Sequence, residues 1–159
     1  MNFQLEHNQV PEILIVDDDA SVVVSLRQVL REMGRIRFAG NGADALALVA
    51  ETRPTLIVLD VELPDISGIE VCRKLKSQKS TADIPVLFIT SHRESGFEEQ
   101  VFAAGAADYI TKPLNPVVVA ARTKMQLKYR AAIDLLESQA RIDSLTGLAN
   151  RRQFDEVLR

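Results

Sequence analysis

A single cysteine, Cys72, stands among the 159 residues, and tryptophan is absent. One thiol cannot form an intramolecular disulfide. Its place on the apolar side of a helical pattern reads as a buried, inert group. No apolar run approaches the ~20 residues of a membrane span. The polar stretch Met1 to Gln9 lacks an apolar signal segment, so a cytoplasmic protein is expected. Positive charge is not in excess: the net charge is -3, which argues against a nucleic-acid partner held through phosphate contacts. There is no internal repeat and no low-complexity tract. What remains is ordinary globular composition, 47% hydrophobic and 26% charged, in a chain long enough for one domain and something more.

The most informative stretch is Thr55-Leu-Ile-Val-Leu-Asp60-Val-Glu62-Leu-Pro64-Asp-Ile-Ser-Gly68. A short apolar run bounded by turn residues reads as a buried strand of a parallel sheet. Glu12-Ile-Leu-Ile-Val-Asp17 repeats the pattern, Ile84-Pro85-Val-Leu-Phe-Ile-Thr90 repeats it again, and Ile36 to Ala39 is a weaker case. Asp108-Tyr109-Ile-Thr-Lys112-Pro113 is shorter and more polar, as an edge strand should be. Helical spacing fills the gaps: Ala20 to Met33 with Gly34 as its stop, a helix opened by Asn41 and Gly42, one capped by Ser67, and Glu94 to Ala104 with Gly105 as its stop. Strands alternating with helices give an α/β fold with a parallel sheet and right-handed crossovers. From Asn115, with Pro116 in the first turn, neither glycine nor proline recurs until Gly147. A helix from Pro116 to about Ile142 would be ~40 Å long.

In a parallel sheet the strand ends share one edge, where open α/β sheets bind ligands. That edge gathers Asp17, Asp18 and Asp19 from the first strand, Asp60 from the third, Thr90 and Ser91 from the fourth, and Lys112 from the fifth. Carboxylates crowded together repel, and a hard divalent cation with oxygen ligands relieves this; Mg²⁺ fits best. The chemistry suits phosphoryl transfer, with Asp60 as the acceptor, Lys112 paired with a phosphoryl oxygen and the Thr90 hydroxyl donating to another. Each residue also has a plainer reading. An acid at a strand end commonly caps a helix, as Asp19 is placed to do, a threonine there favours the strand, and a lysine before proline is commonly surface charge.

These segments, together with Gly105-Ala-Ala-Asp-Tyr109-Ile-Thr-Lys112-Pro113, resemble the receiver domain of two-component response regulators over roughly Glu12 to Arg130. The resemblance implies a flavodoxin-like (βα)5 fold, a five-stranded parallel sheet of order 2-1-3-4-5, followed here by an extended C-terminal helix. It implies that Asp60 is phosphorylated by a sensor histidine kinase or a phosphotransfer protein. Asp17 and Asp18 would form the acidic pair, with Mg²⁺ (or Mn²⁺) held by that pair, Asp60 and the backbone carbonyl of Glu62. Thr90 and Lys112 would bind the phosphoryl group, Thr90 and Tyr109 would act as the switch, and Glu62 and His92 stand where the family tunes phosphoryl lifetime. A cis Lys112–Pro113 bond is also implied.

A second resemblance is shorter. Asp143-Ser-Leu-Thr146-Gly147-Leu-Ala-Asn150-Arg151 is similar to the opening of a GGDEF diguanylate cyclase domain. The expected organisation is a receiver at 10–130, a helical linker at 131–142 and the truncated start of a GGDEF domain at 143–159. The sequence ends before a Gly-Gly-Asp-Glu-Phe motif, so this stretch of chain is not expected to be an enzyme. The whole protein would make cyclic di-GMP under control of a phosphorylation-dependent homodimer. Apolar or small residues at Ala121, Met125, Ala132, Leu135, Leu136 and Ile142 supply an imperfect coiled-coil seam for that dimer. Two readings compete. A phosphatase resembling the haloacid-dehalogenase family would use Asp17-Asp18-Asp19, but leaves Asp60 unexplained and lacks a second acidic pair after Lys112. A degenerate receiver used only for dimerisation would not need the full acidic, Thr90 and Lys112 set.

Overall fold

The computed structural model describes residues 10–157, with residues 146–157 described by backbone alone. The polar stretch Met1 to Gln9 lies outside the described residues. Five strands and five helices alternate: β1 (Glu12–Val16), α1 (Ala20–Leu30), β2 (Arg35–Ala39), α2 (Gly42–Glu51), β3 (Leu56–Asp60), α3 (Gly68–Lys76), β4 (Val86–Thr90), α4 (Phe97–Ala103), β5 (Asp108–Thr111) and α5 (Pro116–Val157). The strands form one sheet in the order β2-β1-β3-β4-β5, and every pairing is parallel. The flavodoxin-like fold expected from the sequence is the one adopted.

Alternation along each strand builds two cores. Ile13, Ile15, Leu56, Val58, Leu87 and Ile89 face α1 and α5, where Leu26, Leu30 and Val119 meet them. Leu14, Val16, Ile57, Leu59, Val86 and Phe88 face α2, α3 and α4, where Ala45, Val49, Val71, Cys72, Leu75 and Val101 meet them. Burial on both faces explains why β3 and β4 read as unbroken apolar runs. Cys72 is fully buried, and burial raises its thiol pKa, as expected of an inert core thiol.

Local chemistry sets the helix starts. Asp19 caps α1 through the Ser21 N–H, Ser67 caps α3 through the Glu70 N–H, and the Asn115 side chain accepts from the Val117 N–H at the head of α5. α1 ends at Leu30, so Gly34 is not its immediate stop. α4 begins at Phe97 rather than Glu94, because Gly96 holds φ at 89° and that backbone cannot continue a right-handed helix. The Lys112–Pro113 peptide bond is cis.

The largest departure is α5, which runs 42 residues without a break, ~63 Å, and passes both Ile142 and Gly147. One glycine inside a helix costs only about 1 kcal/mol, and no proline follows Pro116 to stop it. The first half of the helix packs on its own domain. Val119 and Thr123 are buried, and Arg130 reaches the carbonyl and carboxylate of Asp83 at 3.1 and 3.2 Å. Beyond, Leu135, Leu136, Ile142 and Leu145 are exposed. Arg130 also pairs with Asp134, one turn further on, at 2.5 Å. No helix among the described residues is long and apolar enough to cross a membrane.

Candidate functional site

β1, β3, β4 and β5 deliver their terminal polar residues to one edge, as parallel topology requires. Asp17 follows the last residue of β1 and Asp60 ends β3; their side chains are 1% and 6% exposed, so neither is a solvated turn residue. Asp18 stays exposed beside them. One carboxylate oxygen from each of Asp17, Asp18 and Asp60 lies within 4.8 Å of the others. Asp19 turns away to cap α1, and the Ser21 hydroxyl and N–H hold its carboxyl pKa low.

Lys112 answers this negative charge. Its ammonium stands 3.4 Å from Asp17 Oδ2 and 3.3 Å from Asp60 Oδ2. Burial opposes the lysine charge, but the two carboxylates outweigh burial and raise the Lys112 pKa. For Asp60 the balance falls the other way. Burial first, and the Asp17 charge second, raise its pKa despite Lys112 and the Glu62 N–H, which donates to Asp60 Oδ1 at 3.2 Å. The site therefore carries more negative charge than one lysine offsets. That donor set, three hard carboxylates at the rim of a sheet, fits a small divalent cation.

Thr90 is fully buried at the end of β4, and its Oγ1 accepts the His92 N–H at 2.9 Å. The hydroxyl proton remains available to donate. His92 itself pairs with Glu62, its Nε2 2.8 Å from Glu62 Oε1, and its ring stacks on Phe97 with centroids 4.8 Å apart. Tyr109 is not in the carboxylate cluster. It belongs to the α4 side of the sheet, edge-on to Phe102 at 5.8 Å, and the Glu98 carboxylate raises its phenol pKa. Ser91 is exposed.

Two contacts escaped the sequence reading. Arg93 donates to the Lys112 carbonyl at 2.9 Å, tying the β4–α4 loop to the end of β5. Asp65, in the β3–α3 loop, accepts the N–H groups of Gly42 and Ala43 at the head of α2, both at 2.8 Å. These pairs join residues 19 and 23 apart with no shared local pattern, so no sequence signal marked them.

The sequence model of the response regulator receiver domain matches residues 13–124. Among curated proteins, the response regulator PleD of Caulobacter vibrioides is 36% identical over 144 residues, covering 87% of this chain and 32% of PleD. The alkaline phosphatase synthesis transcriptional regulatory protein PhoP of Bacillus subtilis is 39% identical over 137 residues, covering 86% of this chain and 56% of PhoP. The chain thus spans about a third of one relative and just over half of the other. Among solved structures, the signal receiver domain of a LuxO repressor-like protein from Vibrio parahaemolyticus superposes with a TM-score of 0.75 at 28% identity, over 81% of this chain and 98% of that one. The BeF3-activated DrrB receiver domain superposes with a TM-score of 0.70 at 35% identity, over 76% of this chain and 99% of that one. By fold, by the acidic edge and by this likeness, the chain belongs to the receiver domain family of two-component response regulators.

Proposed function

We propose that Asp60 is the phosphoacceptor and that its Mg²⁺-dependent phosphorylation by a histidine kinase or phosphotransfer protein is this receiver's input. The observation that carries the reading is the buried Asp60 carboxylate, clustered with Asp17 and Asp18 and sharing the Lys112 ammonium with Asp17. Asp17, Asp18, Asp60 and the Glu62 carbonyl would hold the ion. Bound there, it would offset the charge of the carboxylates and of the incoming phosphoryl group.

A carboxylate oxygen of Asp60 attacks phosphorus, the phosphorus–nitrogen bond to the donor imidazole breaks, and the nitrogen keeps the electron pair and takes a proton. Lys112 moves its ammonium from Asp60 to a phosphoryl oxygen while keeping Asp17. The Thr90 hydroxyl donates to a second oxygen, since its lone pair already serves the His92 N–H. Little more than positioning and charge neutralisation is asked of the protein. Glu62 and His92, paired with each other, bear on how fast water reaches the acyl phosphate.

The output is proposed from residues 143–151, which resemble the start of a GGDEF domain. The two curated relatives carry different regulatory names, so receiver likeness alone does not choose an output. The 131–142 segment would serve as a helical linker, and phosphorylation would favour pairing of two α5 helices in a homodimer. On this reading the whole protein is a cytoplasmic diguanylate cyclase with no nucleic-acid partner. The 159-residue chain alone makes no cyclic di-GMP. Intact-mass measurement after acetyl phosphate treatment, with Mg²⁺ and with chelator, tests the input. Asp60→Asn should abolish the added phosphoryl mass, and labelling of that variant at the wild-type level would sink the assignment.

A further inference from the structure

Glu62, the residue proposed to offer its carbonyl to the cation, sits in a loop rather than on a strand. Three anchors hold that loop. At its start Val61 N–H donates to the Ile89 carbonyl at 3.2 Å. At its end Gly68 N–H donates to the Val61 carbonyl at 2.8 Å, and a side chain at Gly68 would collide with the Asp60 carbonyl, 2.1 Å from where its Cβ would stand. Between them is Asp65, whose Oδ1 accepts from Gly42 N–H and whose Oδ2 accepts from Ala43 N–H, each at 2.8 Å.

The first two donors of α2 have no partner within their own helix. Asp65 supplies both from another loop, while the next N–H, that of Asp44, goes to the Asn41 side chain at 2.8 Å. The donors are divided: Asn41, the residue just before the helix, caps one, and Asp65 on the β3–α3 loop caps two. Those two N–H groups, with that of Ile66, hold the Asp65 carboxyl near a pKa of about 2, so it is ionised whenever the site works. Ile66 follows and packs on the same helix start, its Cγ1 2.4 Å from where a Gly42 Cβ would stand.

We infer that Asp65 is a positioning residue for cation binding, holding the β3–α3 loop to the head of α2 so that Glu62 stays set against Asp60. The inference rests on the proposed Mg²⁺ site of Asp17, Asp18 and Asp60. It assigns Asp65 no contact with the ion or with phosphate. Its action is on the loop: with Asp65 gone, residues 62–66 lose their two hydrogen bonds to the head of α2 and keep the Glu62–His92 pair and the packing of Leu63 and Ile66.

The test is the Mg²⁺ dissociation constant of the unphosphorylated chain by titration calorimetry. Four proteins are compared: wild type, Asp65→Ala, Asp65→Asn and Asn41→Ala. Asn41→Ala removes the other cap of the same helix and leaves the loop anchor intact. Asp65→Ala is expected to weaken Mg²⁺ binding by about tenfold, the usual scale for a group that orients a metal ligand. Asp65→Asn keeps the shape and one acceptor oxygen and should fall between it and wild type. Asn41→Ala should bind Mg²⁺ as wild type does, although it melts earlier. Wild-type affinity in Asp65→Ala, or equal weakening in Asn41→Ala, overturns the inference. If Asp65→Ala does not fold, wild-type affinity in Asp65→Asn overturns it instead. A wild-type chain that binds no Mg²⁺ overturns the cation site itself, which is a different result.

Discussion

The ammonium of Lys112 lies 3.3 Å from Asp60 Oδ2 and 3.4 Å from Asp17 Oδ2, so one cation is shared between two buried carboxylates. Neither distance is short, and the arrangement leaves negative charge uncompensated. Removing the lysine leaves two buried acids with no fixed positive partner. Lys112→Ala should therefore slow acetyl phosphate labelling of Asp60 by about 10- to 100-fold at saturating Mg²⁺, on the scale of losing one charge-assisted contact to the transferring group. Time courses of intact mass would show it, and an unchanged labelling rate would remove Lys112 from the mechanism.

Asp60 is strained electrostatically before any ligand arrives. Burial and Asp17 raise its folded pKa above the unfolded value, so the folded chain binds the proton more tightly than the unfolded chain does. Its contribution to stability is then lost as pH rises through the window between those two values, and at neutral pH the ionised group destabilises the fold. Asp60→Asn keeps an acceptor for the Glu62 N–H and removes the charge. In chelator at pH 7 it should melt a few °C above wild type, the shift that about 1 kcal/mol produces in a domain of this size. Adding Mg²⁺ should raise the wild-type melting temperature and not that of the variant. A variant less stable than wild type in chelator would contradict this charge balance.

Asp65 carries the opposite sign. Its folded pKa, about 2, lies below the ordinary carboxylate value of 3.8. The stability it contributes is present above the unfolded value and is lost as pH falls from 3.8 toward 2. Melting curves from pH 5 to pH 2 should fall more steeply in wild type than in Asp65→Asn, whose amide does not titrate. Parallel curves would mean that Asp65 adds nothing to the acid limb.

The sheet was legible because its strands are buried on both faces: Leu56 to Leu59 and Val86 to Ile89 leave no other reading for a short apolar run. The carboxylate edge was legible for the same reason, since parallel strands force Asp17, Asp60 and Thr90 to one end. Long-range polar contacts were not. Asp65 looks like a turn residue after Pro64, and only the folded chain brings it to Gly42 and Ala43. Helix ends failed where one backbone angle decided them. Gly96 delays α4, whereas Gly147 does not stop α5.

The proposed pairing of two α5 helices would draw on residues exposed along that helix. At 3.6 residues per turn, Met125, Tyr129, Ala132 and Leu136 fall within about 60° of one another, on a side away from buried Val119 and Thr123. Leu135 and Ile142, also exposed, lie to one side of that stripe. With beryllofluoride and Mg²⁺, light scattering across a concentration series should show a tighter dimer than without them. Leu135→Lys combined with Leu136→Lys should return the treated protein to monomer while leaving Asp60 labelling intact. A treated mass equal to the untreated one would remove the dimer switch.

The most direct test of the central claim is peptide-level mass spectrometry of the chain after acetyl phosphate treatment in Mg²⁺. The account predicts one phosphoryl group, on Asp60, present with Mg²⁺ and absent with chelator. A phosphoryl group on Asp17 instead, or none on any residue with Mg²⁺ present, would contradict it.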